Sequence, residues 1–211
     1  MPDLSALHKA IVEGDAKASK SLTEQALSDN IDPLEIVTQF LVPAMDEVGS
    51  LFEEEEYFIP EMLLSARAMK EAMELIRPKL AEQGSEPIGR AAIGTVKGDL
   101  HDIGKNLVAS MLEGGGFEVI DLGVDVKPED FIQAVTEKNA NLICLSTLLT
   151  TTMPSIKLTL DALRDAGVRN NVKVMIGGAP ITQDYADEVG ADAYGETART
   201  AVLRARELVA K

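Results

Sequence analysis

One stretch of the chain, GDLHDIGKN at positions 98–106, combines a histidine with two aspartates, and the chain has only one other histidine, His8. Asp99, His101 and Asp102 carry side chains that bind metals, exchange protons or accept hydrogen bonds. An apolar run, AAIGTV, precedes the stretch and a helix-like segment follows it. These side chains are therefore expected on the loop after a buried strand.

Three interpretations of this loop are open from the residues alone. Asp102 could cap the following helix, with His101 at the surface. Asp99, His101 and Asp102 could bind a divalent metal, although the set is short of protein ligands. An aspartate could accept a phosphoryl group, as in a flavodoxin-like receiver domain, but the acidic pair and lysine that this chemistry needs are not evident.

Three further strand ends carry unusual sequences. STLLTTTMPS at 146–155 is rich in hydroxyl groups, GGAPIT at 177–182 begins with paired glycines, and YGETA lies at 194–198. Paired glycines after a strand indicate a tight turn or a ligand in contact with the backbone. Several such strand ends together suggest a long ligand along one edge of a sheet.

The C-terminal part alternates between strand-like and helix-like patterns. Short apolar runs rich in β-branched residues predict strands at 91–96, 118–122, 142–146, 172–176 and 193–194. Between and after them, helical patterns occupy 103–112, 128–138, 154–166, 182–189 and 196–208. This alternation predicts a doubly wound parallel sheet, in which ligands bind beyond the carboxyl ends of the strands.

The N-terminal part reads as helices only, at 5–12 and 16–28 and along two longer apolar stripes. Pro43 is expected to kink the third helix, and Pro60 suits the first turn of the fourth. Four such helices suggest a small bundle. The polar segment 82–87, EQGSEP, reads as a linker. The stripes are Leu34, Val37, Leu41, Met45, Val48 and Phe52, then Ile59, Met62, Ala66, Met69, Met73, Ile76 and Leu80.

Composition limits the classes of function. The chain has 211 residues, is 45% hydrophobic and carries a formal net charge of -15. That charge argues against nucleic-acid binding, which needs a basic face. A single cysteine, Cys144, lies in the apolar run LICLS and is expected in the core. No signal-like start and no run of 18 apolar residues is present, which favours the cytoplasm and no membrane partner.

These motifs carry a family resemblance. Asp99, His101 and Gly104, then Ser146-Thr147-Leu148, then Gly177-Gly178 match in order and spacing the D-x-H-x-x-G … S-x-L … G-G signature of cobalamin-binding domains. The match is to the methyl-carrying branch: methionine synthase and the small corrinoid proteins of methanol, methylamine and methoxy-compound methyltransferase systems. Residues 45–69 resemble the helical cap of that branch, so the resemblance covers nearly the whole chain.

The resemblance completes the predicted fold. The class is α/β, with an N-terminal four-helix bundle cap at 1–86. A doubly wound, five-stranded parallel-sheet (flavodoxin-like) cobalamin-binding domain follows at 87–211. The corrinoid would lie between the two domains, and the linker at 82–87 would be the hinge that lets the cap move aside.

The resemblance also implies a role for each site residue. His101 would replace the lower base of cobalamin on cobalt, Asp99 would orient its imidazole, and Thr152 would complete the relay. Corrin contacts are implied for Gly98, Asp102, Ile103 and Gly104, and Phe52 and Ile59 of the cap would cover the upper face. The nucleotide tail would pass Ser146, Leu148, Thr150, Gly177 and Gly178.

The function that the resemblance implies is a methyl carrier, not a complete enzyme. The cofactor would alternate between methylcobalamin, with His101 bound, and cob(I)alamin, with His101 released and the His101–Asp99–Thr152 set protonated. A substrate-specific methyltransferase would load the cobalt. A second methyltransferase would unload it to tetrahydrofolate or coenzyme M, and a reductive activating protein would rescue oxidised cobalt.

Two alternatives come from other classes. A cobalamin-dependent sensor or regulator would normally add a basic DNA-binding segment, and none is visible at this net charge. The small subunit of an adenosylcobalamin mutase shares D-x-H-x-x-G but should lack the helical cap. The upper ligand on cobalt distinguishes the three functions. A methyl carrier would have methyl or water there, whereas the sensor or regulator and the mutase subunit would have adenosyl.

Overall fold

The computed structural model describes residues 4–84 and 87–210, except for the side chain of Ala81. It divides the chain into two compact units, residues 1–87 with 113–116, and residues 88–112 with 117–211. Ser85 and Glu86 of the predicted hinge lie outside the described residues.

The first unit is helical. Asp15 begins the second helix by accepting a hydrogen bond from the Ala18 amide at 2.9 Å, and Asp32 begins the third by accepting one from Leu34 at 3.2 Å. Both carboxylates satisfy amides that have no partner inside the helix. The helices are α1 (Leu4–Val12), α2 (Ala16–Ser28), α3 (Pro33–Ile36), α4 (Val42–Glu53) and α5 (Ile59–Glu82).

A π-helical turn, Val37–Leu41, joins α3 to α4 just before Pro43. Proline cannot donate the usual amide hydrogen bond, and its ring crowds the carbonyl four residues earlier. A wider turn relieves that crowding without ending the helix. The disruption expected at Pro43 therefore takes the form of a π-turn.

That turn corrects the apolar stripe predicted for the third helix. Leu34 is 45% exposed, whereas Ile36 is fully buried. A π-turn adds a residue to one turn, so the 3.6-residue period does not continue across it. The prediction of Leu34 as a core residue is wrong for this reason. At the start of α5, Ile59 is also exposed, at 43%, and Phe52 near the end of α4 is half-buried.

The second unit contains a parallel sheet of five strands in the order β2-β1-β3-β4-β5, which confirms the predicted fold class. The strands are β1 (Arg90–Thr95), β2 (Glu118–Asp121), β3 (Leu142–Ser146), β4 (Lys173–Gly177) and β5 (Ala193–Gly195). The helices are α6 (Ile103–Gly114), α7 (Pro128–Lys138), α8 (Pro154–Asp165), α9 (Gln183–Val189) and α10 (Ala198–Val209).

Chain order reverses between β1 and β3, which are direct neighbours with Thr95 opposite Ser146. At such a switch point the loops leaving two adjacent strands diverge and leave a crevice. The loop after β1 (97–102) carries Asp99 and His101, and the loop after β3 (147–153) carries Thr152. The topology therefore brings the predicted site residues to one point of the sheet edge.

One face of the sheet is covered by α7, α8 and α9. Phe131 of α7 and Leu160 of α8 are fully buried in a cluster with Ile143 and Val174 of the sheet. Gly94 of β1 leaves room for the Phe131 ring, because a Cβ there would lie 2.9 Å from its Cζ atom. Phe131 is thus the large side chain that fixes α7 against β1.

We expect Phe131→Ala to lower the free energy of unfolding by about 3–5 kcal/mol, because it leaves a cavity in a close-packed core. Phe58→Ala is the matched control, since Phe58 is 63% exposed and surface changes stay within about 0.5 kcal/mol. Urea denaturation monitored by circular dichroism measures both. Equal effects of the two changes would contradict the packing described for Phe131.

Candidate functional site

The carboxylate of Asp99 is the centre of the site and is fully buried. Its Oδ1 accepts hydrogen bonds from His101, from the backbone amide at 3.0 Å and from Nδ1 at 2.7 Å. Its Oδ2 accepts hydrogen bonds from the Leu148 amide at 2.8 Å, the Thr147 hydroxyl at 3.0 Å and the Thr152 hydroxyl at 2.9 Å. One carboxylate therefore joins the loops that follow β1 and β3.

The pKa of the Asp99 carboxyl results from two opposing effects. Burial raises the pKa, because a charged group loses its hydration. The backbone amides of Leu148 and His101 and the side chains of His101 and Thr152 lower it more strongly, so the pKa of Asp99 lies well below its usual range. Asp99 is therefore a carboxylate at neutral pH.

That charge defines the hydrogen bonding of the imidazole of His101. A carboxylate can only accept, so Nδ1 of His101 must be the donor in the 2.7 Å contact with Asp99. In the neutral ring the lone pair then lies on Nε2. No described residue forms a hydrogen bond with Nε2, and half of the side chain, 50%, is exposed. His101 thus presents an oriented ring nitrogen, Nε2, at the sheet edge.

Backbone contacts hold the loop that carries this histidine. Thr95 donates its hydroxyl hydrogen to the His101 carbonyl at 2.7 Å. The Gly98 amide donates to Asp125 Oδ1 at 2.7 Å, and the Asp125 amide donates to the Asp99 carbonyl at 3.0 Å. Gly98 and Asp125 both have positive φ, 88° and 53°, which suits glycine and is tolerated by aspartate. Asp125 therefore clamps the loop from the side of β2.

An ion pair between a buried lysine and an exposed aspartate holds the first turn of α6. Lys105 is 3% exposed, and its Nζ donates to Asp121 Oδ1 at 2.6 Å, Asp121 Oδ2 at 2.7 Å and Asn106 Oδ1 at 2.6 Å. The Asn106 amide group donates to Asp102 Oδ2 at 3.1 Å. These contacts connect the end of β2 to the helix that follows the histidine loop.

A close backbone contact requires glycine at position 178, the second residue of the glycine pair after β4. Gly178 has a φ of 127°, and a Cβ there would lie 1.8 Å from the Thr147 carbonyl oxygen. The Thr147 amide donates to the Gly177 carbonyl at 3.2 Å. Gly178 therefore lets the β4 loop pass against the β3 loop that binds Asp99.

A cavity of about 400 Å³ lies beside this contact, within the second unit. Four of the predicted ligand residues line it: Gly104, Ser146, Gly177 and Gly178. Leu148 and Thr150 are exposed and are not among the residues that line this cavity. Of the predicted corrin contacts on the same edge, Asp102 and Ile103 are exposed, Ile103 at 75%.

Sequence reasoning missed three contributors to this geometry. Thr147 stands beside the predicted Thr152, and only the hydroxyl-rich sequence of the loop pointed to it. The sequence contains no pattern that predicts the contacts of Asp125 or of the Lys105–Asp121 pair, because the contacting residues are distant in sequence. Within residues 4–84 and 87–210, no group of three His, Cys, Asp or Glu side chains is arranged to bind a metal ion.

Comparisons with known proteins identify the family. Two family models, each described as a B12 binding domain, match residues 89–203 and 4–77. The chain belongs to the family of B12-binding corrinoid proteins. The predicted resemblance and the predicted cofactor, a cobalamin-type corrinoid, are thereby confirmed.

None of the helices in the described part of the chain has the length and hydropathy of a membrane-spanning segment.

Three relatives of this corrinoid protein illustrate the similarity. Trimethylamine corrinoid protein 1 of Methanosarcina acetivorans is 42% identical, over 95% of this chain and 94% of its own. Dimethylamine corrinoid protein 1 of the same organism is 43% identical, over 98% and 97%. A chain in the crystal structure of the methanol:cobalamin methyltransferase complex of Methanosarcina barkeri is 30% identical with a TM-score of 0.86, over 98% of this chain and 79% of that one.

We expect Asp99→Asn to lower the free energy of unfolding of the cofactor-free protein by about 1–3 kcal/mol, because an amide NH₂ must face buried donors. Asp102→Asn is the matched control: Asp102 is exposed, and the change should stay within about 0.5 kcal/mol. Thermal and urea unfolding measure both variants. A fully stable Asp99→Asn protein would contradict the central place of this carboxylate.

A second pair of variants tests the backbone contact at Gly178. Gly178→Ala should destabilise the protein by about 1–3 kcal/mol from backbone strain alone, with a further loss from the clash with Thr147. Gly104→Ala should leave stability unchanged or raise it slightly, because a Cβ there meets no atom within 4 Å. Urea denaturation compares the two, and equal stabilities would be the contradictory result.

Proposed function

We propose that this corrinoid protein carries a methyl group between two methyltransferases, with His101 as the lower axial ligand of the cobalt and the lower base displaced. The observation that carries the proposal is the pair formed by Asp99 and His101. Asp99 fixes the ring through Nδ1 and leaves the Nε2 lone pair free at an exposed edge. A histidine that binds a metal almost always donates its second ring N–H to such a partner, often a carboxylate, which fixes the orientation of the ring.

The residues present fit the corrinoid in two further respects. The cavity of about 400 Å³ falls within the range of small-molecule sites and opens beside the histidine loop. Gly104, at the start of α6, has open space where a side chain would be. When bound, the corrinoid supplies a cobalt centre that takes up and gives away a methyl group.

The protein's own part is to hold the ligand nitrogen in place. Asp99 stays ionised and keeps the proton of the imidazole on Nδ1. Thr147 and Thr152 bind the other carboxylate oxygen, so the carboxylate cannot rotate away from the ring. These contacts support the relay role that the sequence predicts for Thr152, and we assign Thr147 to the same relay.

The helical unit supplies the second part of the proposed site. Phe52 and Ile59 are assigned to the upper face of the corrin, where they would shield the methyl group. Ile59 is 43% exposed, although it is apolar, and Phe52 is only half-buried, so neither is fully used by the core of its own unit.

The proposed partners follow from the carrier role. A substrate-specific methyltransferase loads the protein, and a second one passes the group to tetrahydrofolate or coenzyme M. A reductive activating protein restores oxidised cobalt. The relatives named for trimethylamine and dimethylamine are more similar to this chain than the methanol complex is, which favours a methylated amine as the donor. A cytoplasmic location stays a prediction from the sequence.

The absorbance spectrum of protein reconstituted with hydroxocobalamin tests the role of His101. Wild type should shift to a spectrum with the base displaced and imidazole on cobalt, and His101→Ala should lose the shift. His8→Ala is the matched control, because His8 also pairs with a carboxylate, Glu47, at 2.7 Å. It should keep the wild-type spectrum.

Two results would contradict the proposal. Wild-type protein that binds no hydroxocobalamin is not a corrinoid carrier. A wild-type spectrum that persists in His101→Ala would mean that another group, or the native base, occupies the lower position. In that case the Asp99–His101 pair would have only a structural role in the loop.

A further inference from the structure

The floor of the cavity in the second unit is a row of three neighbouring strand residues. Ile93 of β1 is opposite Cys144 of β3, and Cys144 is opposite Met175 of β4. Ser146 and Gly177 lie two residues further along the same strands and also line the cavity. Because side chains alternate between faces, both rows lie on one face, with the Ile93–Cys144–Met175 row farther from the edge.

This floor row is apolar. Ile93, Cys144 and Met175 are 2%, 4% and 3% exposed. Burial raises the pKa of the Cys144 thiol to about 12, so the thiol stays neutral at physiological pH. A neutral thiol is a weak donor, and a thioether is a weak acceptor. A ligand that reaches the floor therefore meets almost no hydrogen-bonding partner there.

The polar side chains of the cavity wall are nearly all engaged elsewhere. Lys105 uses its three donors on Asp121 and Asn106. The Thr197 hydroxyl accepts from the Thr200 amide at 3.1 Å, and the Tyr194 ring packs on the opposite face of the sheet. Among the described residues, no buried polar side-chain atom of the chain lacks a partner.

Glu196 also lines the cavity, but it is exposed and lies beyond the end of β5. Ser146 is the exception among the less exposed side chains of the wall. Its side chain is half-buried, and its hydroxyl forms no hydrogen bond with any described residue. It stands at the carboxyl end of β3, between the sheet edge and the floor row. The cavity therefore offers one free hydroxyl near its mouth and an apolar surface below it.

We infer that the Ile93–Cys144–Met175 row selects the lower base of the corrinoid, accepting an apolar benzimidazole and disfavouring a purine such as adenine. This inference rests on the proposed function and adds to it that the nucleotide tail of the displaced base enters the cavity. A benzimidazole offers one ring nitrogen, which the Ser146 hydroxyl can satisfy. Adenine adds two ring nitrogens and an exocyclic amine, which would lose water without gaining partners at the floor.

The test compares two corrinoids in their hydroxo forms, one with 5,6-dimethylbenzimidazole and one with adenine as the lower base. Their dissociation constants are measured by calorimetry on wild type and on Met175→Gln, which puts an amide on the floor row. The two free corrinoids displace their bases with different ease in solution. That difference is common to both proteins, so it cancels in the change of the affinity ratio.

We expect Met175→Gln to shift the affinity ratio by about tenfold in favour of the adenine form, the effect of one recovered hydrogen bond. Met111→Gln is the matched control, since Met111 is a methionine of the same unit, 4% exposed and outside the cavity lining. It should leave the ratio unchanged. Cys144→Ser places a hydroxyl on the same row with a smaller change in volume and should shift the ratio in the same direction.

The outcomes separate this inference from the proposed function. If wild type binds neither corrinoid, the proposed function itself fails. If wild type binds both with imidazole on cobalt, but neither Met175→Gln nor Cys144→Ser changes the ratio, the carrier role stands and the base selection is wrong. Cobinamide has no nucleotide. If wild type binds cobinamide as tightly as hydroxocobalamin, the inferred base selection is also wrong.

Discussion

The buried carboxylate of Asp99 is the interaction on which the edge of the sheet depends. A buried charge is stable only when hydrogen bonds replace its lost hydration. Here three backbone amides, two threonine hydroxyls and an imidazole do so. Because these donors come from the loops after β1 and β3, satisfying one charge also fixes both loops and the direction of the His101 ring.

The parallel sheet makes this convergence possible. β1 and β3 are adjacent although β2 lies between them in sequence, so their loops meet without any contribution from β2. Asp125 and Asp121, which follow and end β2, then close the site from the third side by holding the histidine loop and the start of α6. Gly178 allows the loop after β4 to pass against the loop after β3 at the same edge of the sheet. The histidine is thus oriented by four strand ends of one rigid element.

The parts of this arrangement that could be predicted from sequence are those with a local signal. Alternating apolar runs and helical patterns were sufficient for the parallel sheet, and the D-x-H-x-x-G spacing was sufficient to propose Asp99 and His101 as partners. Lys105 and Asp121 are 16 residues apart, and their pairing depends on the position of β2 in the sheet. The prediction for Leu34 is wrong because Pro43 indicates a disruption of the helix but not its form, a π-turn at Val37–Leu41 that changes the helical period.

The most direct test of the account is the electron paramagnetic resonance spectrum of the protein loaded with cob(II)alamin after growth on ¹⁵N-histidine. If His101 binds cobalt, the nitrogen splitting should change from three lines in unlabelled protein to two lines in labelled protein. The same two lines should remain in labelled His8→Ala. Three lines in the labelled wild type would show that an unlabelled nitrogen, that of the corrinoid's own base, stays on cobalt, and would contradict the account.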